Sequence, residues 1–186
     1  MMKCLNCNII THNIQCFNIL IFPLEEVRKF KHQIYNINSN EVTLDDCFEY
    51  YQKEELMTGA NQIYCNRCKA MANSLNSSKL ITGPNVLVII LNRGIGIQYN
   101  VKLKFEEYID IKRFINSKES PIFYELNGVV VHFGPSSMSG HFIAFCKSFV
   151  DHKRHKYNDA QVNLTSFQEV CTAGIPYILF YSYVKK

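Results

Sequence analysis

Two Cys-x-x-Cys pairs, Cys4/Cys7 and Cys65/Cys68, place the strongest constraint on how this chain folds. The two-residue gap in each pair lets both thiolates reach one ion, and two such pairs complete a tetrahedral four-cysteine site. A site of this kind is closed, so the pattern predicts one structural zinc ion that joins segments 57 residues apart. That separation is longer than in compact zinc fingers. The alternatives are therefore four free thiols or one incidental pair.

Composition indicates a folded protein of one domain. The chain has 186 residues, of which 47% are hydrophobic and 13% aromatic, enough to bury a sizeable core. The formal net charge is only +4. Because nucleic-acid binding needs a strong basic surface, nucleic acid is not expected as a partner.

The N-terminal residues and the longest apolar run favour an intracellular protein. The first residues, Met1–Cys4, lead into a polar segment rather than the apolar stretch of a secretory signal. The longest apolar run, Val86–Leu91, is too short to cross a bilayer, so no membrane partner is expected. We therefore expect the cytoplasm and/or the nucleus. Cysteines stay reduced there, and the four outside the two pairs are expected to be small buried hydrophobic residues: Cys16, Cys47, Cys146 and Cys171.

The remaining patterns predict a mostly β chain with few helices. A strand over Phe17–Phe22 is expected to stop at Pro23, and the polar stretch through Asn40 to be an exposed connection. Thr43 and Asp46 form a capping-box pattern at the start of an amphipathic helix that runs to about Glu55. Further strands are predicted over Val86–Leu91, Val101–Phe105, Tyr124–Phe133, His141–Phe149 and Tyr177–Val184. Ser166 and Glu169 are expected to cap a short helix that ends at Gly174.

His141 is the histidine whose surroundings best suit catalysis. It follows the small-residue segment Gly134–Gly140 and begins an apolar strand, which would hold its imidazole on a rigid element. Asn158 and Asp159 follow after the length of a hairpin. The Asn158 side-chain oxygen is then predicted to accept the Nδ1 proton of His141, leaving Nε2 free to take a thiol proton. On spacing alone, an ordinary Asn-Asp turn is the favoured alternative.

The other histidines fit structural or solvated positions. His132 follows three valines in a predicted strand, which favours a hydrogen-bonded structural role. His12 and His32 lie in polar segments, and His152 and His155 lie in a charged run that suggests an exposed hairpin tip.

The order of motifs along nearly the whole chain resembles the C-terminal half of the catalytic domain of the ubiquitin-specific proteases, which are papain-like cysteine peptidases that remove ubiquitin. The motifs that carry the resemblance are Cys4-x-x-Cys7, Thr43-Leu44-Asp45-Asp46-Cys47, Glu54-Glu55-Leu56, Tyr64-Cys65-x-x-Cys68, Pro84-Asn85-Val86-Leu87-Val88, Leu91-x-Arg93, Tyr124-x-Leu126-x-Gly128-Val129-Val130-Val131-His132-x-Gly134, Ser139-Gly140-His141-Phe142, Tyr157-Asn158-Asp159 and Tyr177-Ile178-Leu179-Phe180-Tyr181.

The resemblance implies an α+β fold, mostly antiparallel β. One partial catalytic domain would span residues 1–186, with a zinc-bearing fingers region over about 1–75 and a palm over about 76–186. His141 matches the family's catalytic histidine, Asn158 the third triad member and Asp159 a neighbouring helper, while Gly140 would line the channel for the Gly-Gly tail of ubiquitin. Ubiquitin and ubiquitinated proteins are the implied partners.

The sequence also departs from the family pattern. The Asn-x-Gly-Asn-Thr-Cys-type block that carries the nucleophile is absent, and so is the helical thumb that contains it. Gly94 and Phe142 replace the usual aromatic and tyrosine residues. Three hypotheses follow.

The first is a deubiquitinase that hydrolyses isopeptide bonds at the C-terminus of ubiquitin, with the N-terminal half of the domain as a further partner. The second is a ubiquitin-binding or scaffold module without catalysis. The third is a zinc-stabilised β domain of unrelated role. A triad without its nucleophile loses most of its rate enhancement, so the chain alone is predicted to be inactive.

Overall fold

The structure is a computed structural model that describes residues 1–94, 100–115, 122–136 and 139–185. The strands are β1 (Met2–Cys4), β2 (Ile10–Thr11), β3 (Ile19–Pro23), β4 (Glu41–Thr43), β5 (Glu55–Met57), β6 (Ile63–Cys65), β7 (Ala70–Ala72), β8 (Ser74–Asn76), β9 (Val86–Asn92), β10 (Lys102–Lys104), β11 (Tyr108–Asp110), β12 (Phe123–Ser136), β13 (Ser139–Lys147), β14 (Arg154–Asn158), β15 (Gln161–Thr165) and β16 (Ile175–Val184). The helices are α1 (Leu24–Tyr35), α2 (Leu44–Gln52) and α3 (Phe167–Thr172).

An eight-stranded sheet forms the main body of the molecule. Its strand order is β15-β14-β13-β12-β16-β9-β3, with β11 added beside β12. The neighbours pair antiparallel except β3 and β9, which are parallel. The predicted α+β class with a mostly antiparallel sheet is confirmed.

One face of this sheet is covered and buries the core. Along β9 burial alternates, so that Leu87, Ile89 and Leu91 are buried while their neighbours are more exposed. This period of two arises because successive side chains of a strand point to opposite faces. Helix residues complete the core on the covered face; for example, the ring of Phe48 in α2 packs edge-on against Phe22 of β3 at 5.3 Å between ring centroids.

Helix α1 corrects the expectation of an exposed connection after Pro23. Leu24 and Val27 are buried against the core, and the rest of the helix is mostly polar. Glu25 accepts two hydrogen bonds from Arg28, each 2.8 Å long, across one helical turn. The strand predicted over Phe17–Phe22 is instead β3, which spans Ile19–Pro23 and so includes the proline expected to stop it. The many charged residues of this stretch concealed the helical spacing of its few apolar ones.

The two predicted capping boxes are both present. The Thr43 hydroxyl accepts from the Asp46 backbone N–H at 3.1 Å, and the Asp46 carboxylate accepts from the Thr43 N–H at 2.7 Å. Ser166 and Glu169 form the same reciprocal pair at the start of α3. Each box satisfies backbone donors that a helix N-terminus leaves free.

A second, smaller region holds the two cysteine pairs, and we call it the cysteine region. It consists of the four-stranded sheet β2-β1-β8-β5 and the hairpin β6–β7. Its buried apolar cluster contains only Cys4, Cys65 and Ala72.

Every helix in the described ranges is too short or too polar to span a bilayer.

Candidate active site and metal centre

His141 lies near the start of β13, at one end of the main sheet. It is paired with Phe133 of β12, and its side chain is 49% exposed. The small-residue segment before it, Gly134–Gly140, is only partly described, because residues 137 and 138 lie outside the described residues. The ring is therefore held by a strand and remains open to a reactant.

The turn between β14 and β15 brings Asn158 to this histidine. β14 runs antiparallel beside β13, and the two-residue turn after it places Asn158 opposite Gln161. His141 Nε2 and Asn158 Oδ1 lie 2.7 Å apart. The structure thus brings these two residues together as the hairpin interpretation expected.

The nitrogen that makes this contact differs from the expected one. The sequence predicted that Asn158 contacts Nδ1, whereas in the structure Asn158 contacts Nε2. An amide oxygen can only accept, so Nε2 carries the proton and Nδ1 is left unprotonated in the neutral ring. The prediction was wrong because spacing along a chain does not fix the rotation of an imidazole about its side-chain bonds.

Asp159 lies at the tip of the same turn. Its carboxylate Oδ2 is 3.7 Å from His141 Nε2, and its side chain is 82% exposed. Its backbone is left-handed, with φ of 50°, as a tight hairpin turn requires. Asn158 therefore makes the closer contact and Asp159 adds negative charge nearby.

A second histidine supports the hairpin that carries His141. His132 is 3% exposed, and its ring lies 4.7 Å from that of Phe142 and 5.8 Å from that of Tyr177. A Cβ atom at Gly140 would overlap His132 Nε2 and the Phe133 carbonyl oxygen. Position 140 must therefore be glycine for the hairpin to pack on this imidazole.

The four paired cysteines form a compact cluster. The Sγ atoms of Cys4, Cys7, Cys65 and Cys68 all lie within 4.8 Å of one another. The separations between the pairs are 3.9 Å for Cys4–Cys68 and 3.7 Å for Cys7–Cys65. Four thiolates about 2.3 Å from a central zinc ion would be about 3.8 Å apart, so this donor set fits one metal ion.

The two pairs share one backbone geometry that was not predicted from the sequence. The Asn8 N–H donates to the Cys4 carbonyl at 2.9 Å, and the Lys69 N–H donates to the Cys65 carbonyl at 2.8 Å. Both Asn8 and Lys69 are left-handed, with φ of 58° and 56°. Asparagine is a known signal for this conformation, whereas lysine is not.

In the second pair, close contacts shift the pKa values of the two thiols in opposite directions. The Cys68 N–H donates to the Cys65 sulfur at 3.5 Å and lowers the pKa of that thiol to about 6. Hydrogen bonding with Cys7 raises the pKa of Cys68 to about 12. Protons therefore compete with a cation for these sulfurs, which makes metal retention depend on pH.

The remaining cysteines do not approach the histidine. Cys47 is buried, and burial raises the pKa of its thiol well above the usual range. Cys16 and Cys171 are exposed, which corrects the expectation that they are buried, and Cys146 is half-buried. Within the described ranges, no cysteine sulfur lies within hydrogen-bonding distance of the His141 ring.

A comparison with models of protein families shows which family this chain belongs to. The model of the family described as "Ubiquitin carboxyl-terminal hydrolase" matches residues 1–181. The chain belongs to this family. The resemblance inferred from the motifs is confirmed.

Individual members of the ubiquitin carboxyl-terminal hydrolase family are similar over most of this chain but much longer than it. Ubiquitin carboxyl-terminal hydrolase 12 of Saccharomyces cerevisiae is 29% identical over 177 residues, which are 88% of this chain and 14% of that protein. Ubiquitin carboxyl-terminal hydrolase 2 of Bos taurus is 31% identical over 147 residues, which are 76% of this chain and 24% of that protein. The chain thus spans a minor part of the length of these relatives.

Solved structures of the family also match the fold. A chain of the SAGA DUB module Ubp8/Sgf11/Sus1/Sgf73 bound to monoubiquitin superposes with a TM-score of 0.75 at 25% identity, over 99% of this chain and 39% of that one. The same module bound to ubiquitin aldehyde gives a TM-score of 0.72 at 24% identity, which supports the fold.

Proposed function

We propose that this chain supplies the histidine and its orienting amide to a thiol-dependent deubiquitinase site. The reaction would be hydrolysis of isopeptide bonds at the C-terminus of ubiquitin. The observation that carries the proposal is the 2.7 Å contact between His141 Nε2 and Asn158 Oδ1. Membership of the ubiquitin carboxyl-terminal hydrolase family gives the substrate class.

The contact supports a separate proposed role for each ring nitrogen. Because Asn158 accepts the Nε2 proton, Nδ1 keeps its lone pair and is the atom that takes a proton from an attacking thiol. The same proton is then returned to the leaving amine, which is the lysine side chain of the substrate. The imidazolium formed between these steps is stabilised by the Asn158 oxygen and by the Asp159 carboxylate 3.7 Å from Nε2.

Gly140 is proposed to line the channel for the ubiquitin tail. A side chain at this position would collide with His132 and Phe133, so the backbone beside His141 stays bare. Bare backbone lets an extended Gly-Gly segment approach closely.

We propose that the cysteine region is the fingers region, within about residues 1–75, and that residues from about 76 to 186 form the palm. Zinc is the proposed ion, held by Cys4, Cys7, Cys65 and Cys68. Four thiolates leave no open position, so the ion would fix the fold of this region and take no part in hydrolysis.

The nucleophile is proposed to come from a separate segment, the N-terminal half of the domain. The support is that no cysteine approaches His141 in the described part of the chain. The chain alone would then bind ubiquitin and its conjugates without cleaving them, and this ubiquitin-binding module is the second candidate function. None of the eight cysteines, all of which lie in the described part of the chain, forms a disulfide, and this suits the reducing cytoplasm or nucleus.

The histidine geometry is tested without any need for turnover. Nitrogen-15 NMR of the full chain should show His141 as the Nε2–H tautomer near neutral pH. Asn158→Ala should shift that population toward Nδ1–H, while Asp159→Ala, the matched change one residue away, should shift it less. A dominant Nδ1–H tautomer in the unsubstituted chain would contradict the proposed roles.

Ubiquitin binding and hydrolysis are tested separately. Labelled ubiquitin should show chemical-shift changes at its C-terminal tail on titration with the chain. A fluorogenic ubiquitin substrate should not be turned over by the chain alone. Turnover that His141→Ala abolishes would disprove the predicted inactivity, and folded, metal-loaded protein that leaves the ubiquitin spectrum unchanged would disprove the binding.

A further inference from the structure

β15 is an edge strand of the main sheet, and among the described residues it is paired on one side only. β14 pairs with one side of it, and no strand in the described ranges pairs with the other. Its sequence, Gln161–Thr165, contains no charged residue and no proline, and its pairing with β14 continues without a bulge. Soluble proteins usually protect such an edge with a charged residue, a proline or a bulge.

The turn before β15 determines which backbone groups face outward. The pair Asn158–Gln161 closes a two-residue turn, so its members hydrogen-bond to each other. Bonded pairs alternate along an antiparallel ladder, so Asn163 and Thr165 also bond to β14. The N–H and C=O groups of Val162 and Leu164 therefore point away from the sheet.

The side chains of these two residues are also unusually exposed for their type. Val162 is 54% exposed and Leu164 is 65% exposed, and both lie on the open face of the sheet beside Tyr157 and His155. Apolar side chains and unpaired backbone groups thus coincide at one edge, which is the arrangement that strand addition uses.

We propose that β15 pairs antiparallel with β15 of a second copy of this chain, with the twofold axis at Asn163. In this register Val162 of each copy faces Leu164 of the other, and each such pair exchanges both of its N–H···O bonds. Gln161 faces Thr165. The strand carries no charge, so no like charges oppose each other, and it is complementary to itself in hydrogen bonding and in side-chain size.

The pairing would be weak and would act on the hairpin that carries Asn158. A five-residue strand buries less area than a standard stable interface, so association is expected only at high concentration. The second strand would cover the free edge of the β14–β15 hairpin. It would thereby restrict the motion of the turn that holds Asn158.

The first test is sedimentation equilibrium of the full chain up to about 1 mM, the range of weak association. The mean mass should rise with concentration toward that of two copies. Val162→Pro removes an outward N–H and leaves the bonds of Gln161, Asn163 and Thr165 to β14 intact, so it should return the mass to that of one copy. Far-UV circular dichroism and metal content check that this variant is folded.

The second test uses charge at the proposed axis and does not depend on that variant. Asn163→Asp and Asn163→Lys should each associate about tenfold more weakly than the unsubstituted chain, because like charges meet at the axis. A mixture of the two should restore association. The control makes the same two changes at exposed Asn38, which lies between α1 and β4. These changes should leave the association unaltered.

Three results would overturn the proposal. The first is a single-copy mass at every concentration up to about 1 mM. The second is association that Val162→Pro leaves intact in folded protein, since another surface would then be responsible. The third is a mixture of the Asn163 variants that associates no better than either alone, which would exclude a register centred on Asn163.

Discussion

The cysteine region and the main sheet differ in how much apolar surface each buries. The core of the main sheet contains many fully buried side chains, among them Leu179, Tyr181 and Phe22. The cysteine region has short strands, and its small buried cluster includes two of the four proposed metal ligands, Cys4 and Cys65. A sheet of the first kind is stabilised by burial, whereas a region of the second kind needs a cross-link. The stability of the two regions should therefore respond to different perturbations.

Cys65→Ser tests this contrast with the largest expected effect. Structural zinc sites contribute about 10–16 kcal/mol of apparent binding free energy. Removal of one ligand should abolish most of this stabilisation. Hydrogen exchange should become fast in β1, β2 and β5–β8 and stay slow in the main sheet, with zinc content falling from one per chain to near zero. Cys146→Ser, a half-buried cysteine of the main sheet, should keep its metal. Metal retained by Cys65→Ser would mean that the cluster is not the binding site.

Leu179→Ala is the converse change, because it opens a cavity in the main sheet. Leu179 is fully buried, and truncation of such a side chain costs about 2–5 kcal/mol. The free energy of unfolding from urea denaturation should fall by that amount while the zinc content stays at one per chain. Val162→Ala, at an exposed position of the same sheet, should change it by less than about 0.5 kcal/mol. Metal loss in Leu179→Ala would show that the two regions are coupled.

Ser166→Ala removes one cap of α3 and should have an intermediate effect. The Ser166 hydroxyl accepts from the Glu169 backbone N–H at 3.2 Å, and loss of such a cap costs about 1 kcal/mol. The loss in unfolding free energy should be the same with metal bound and after treatment with a chelator. A cost that appears only in the metal-loaded protein would contradict the independence of the two regions.

The smallest effect concerns the carboxylate of Glu125, which lies on β12 between Tyr108 of β11 and Ser182 of β16. Burial raises the pKa of Glu125, but hydrogen bonds from Lys147 and Tyr108 outweigh it, so the pKa lies below its ordinary value. Its contribution to stability is thus complete above the unfolded pKa, about 4.3, and is lost as pH falls through the folded value. Glu125→Gln should destabilise the protein at pH 7, and the difference from the unsubstituted chain should shrink on acidification. A difference that grows toward low pH would have the wrong sign.

Local patterns along the sequence predicted much of this structure. The capping residues Thr43 and Ser166 act within their own helices, so their roles could be predicted from neighbouring residues. The strand over Val86–Leu91 was predicted by its apolar run and is present as β9. The Cys-x-x-Cys spacing was likewise sufficient to predict that four sulfurs meet.

Features that depend on tertiary contacts were not predicted. Helix α1 has only two buried residues, and the core that they pack against is formed by distant strands. The ring nitrogen that His141 presents to Asn158 depends on side-chain rotation, which no spacing encodes. The exposure of Cys16 and Cys171 depends on which elements cover them, and composition gives no information about that.

The distance between the two cysteine pairs has a consequence for synthesis on the ribosome. The first pair is made well before the second, because 57 residues lie between Cys7 and Cys65. At translation rates of about 5–20 residues per second, Cys4 and Cys7 would wait roughly 3–12 s for their partners. During that interval they form an open two-thiolate site, which can bind a competing soft metal or be oxidised. We expect the nascent chain to be most vulnerable to copper or peroxide before Cys68 emerges, and pulse-labelling of free thiols on stalled chains would measure this.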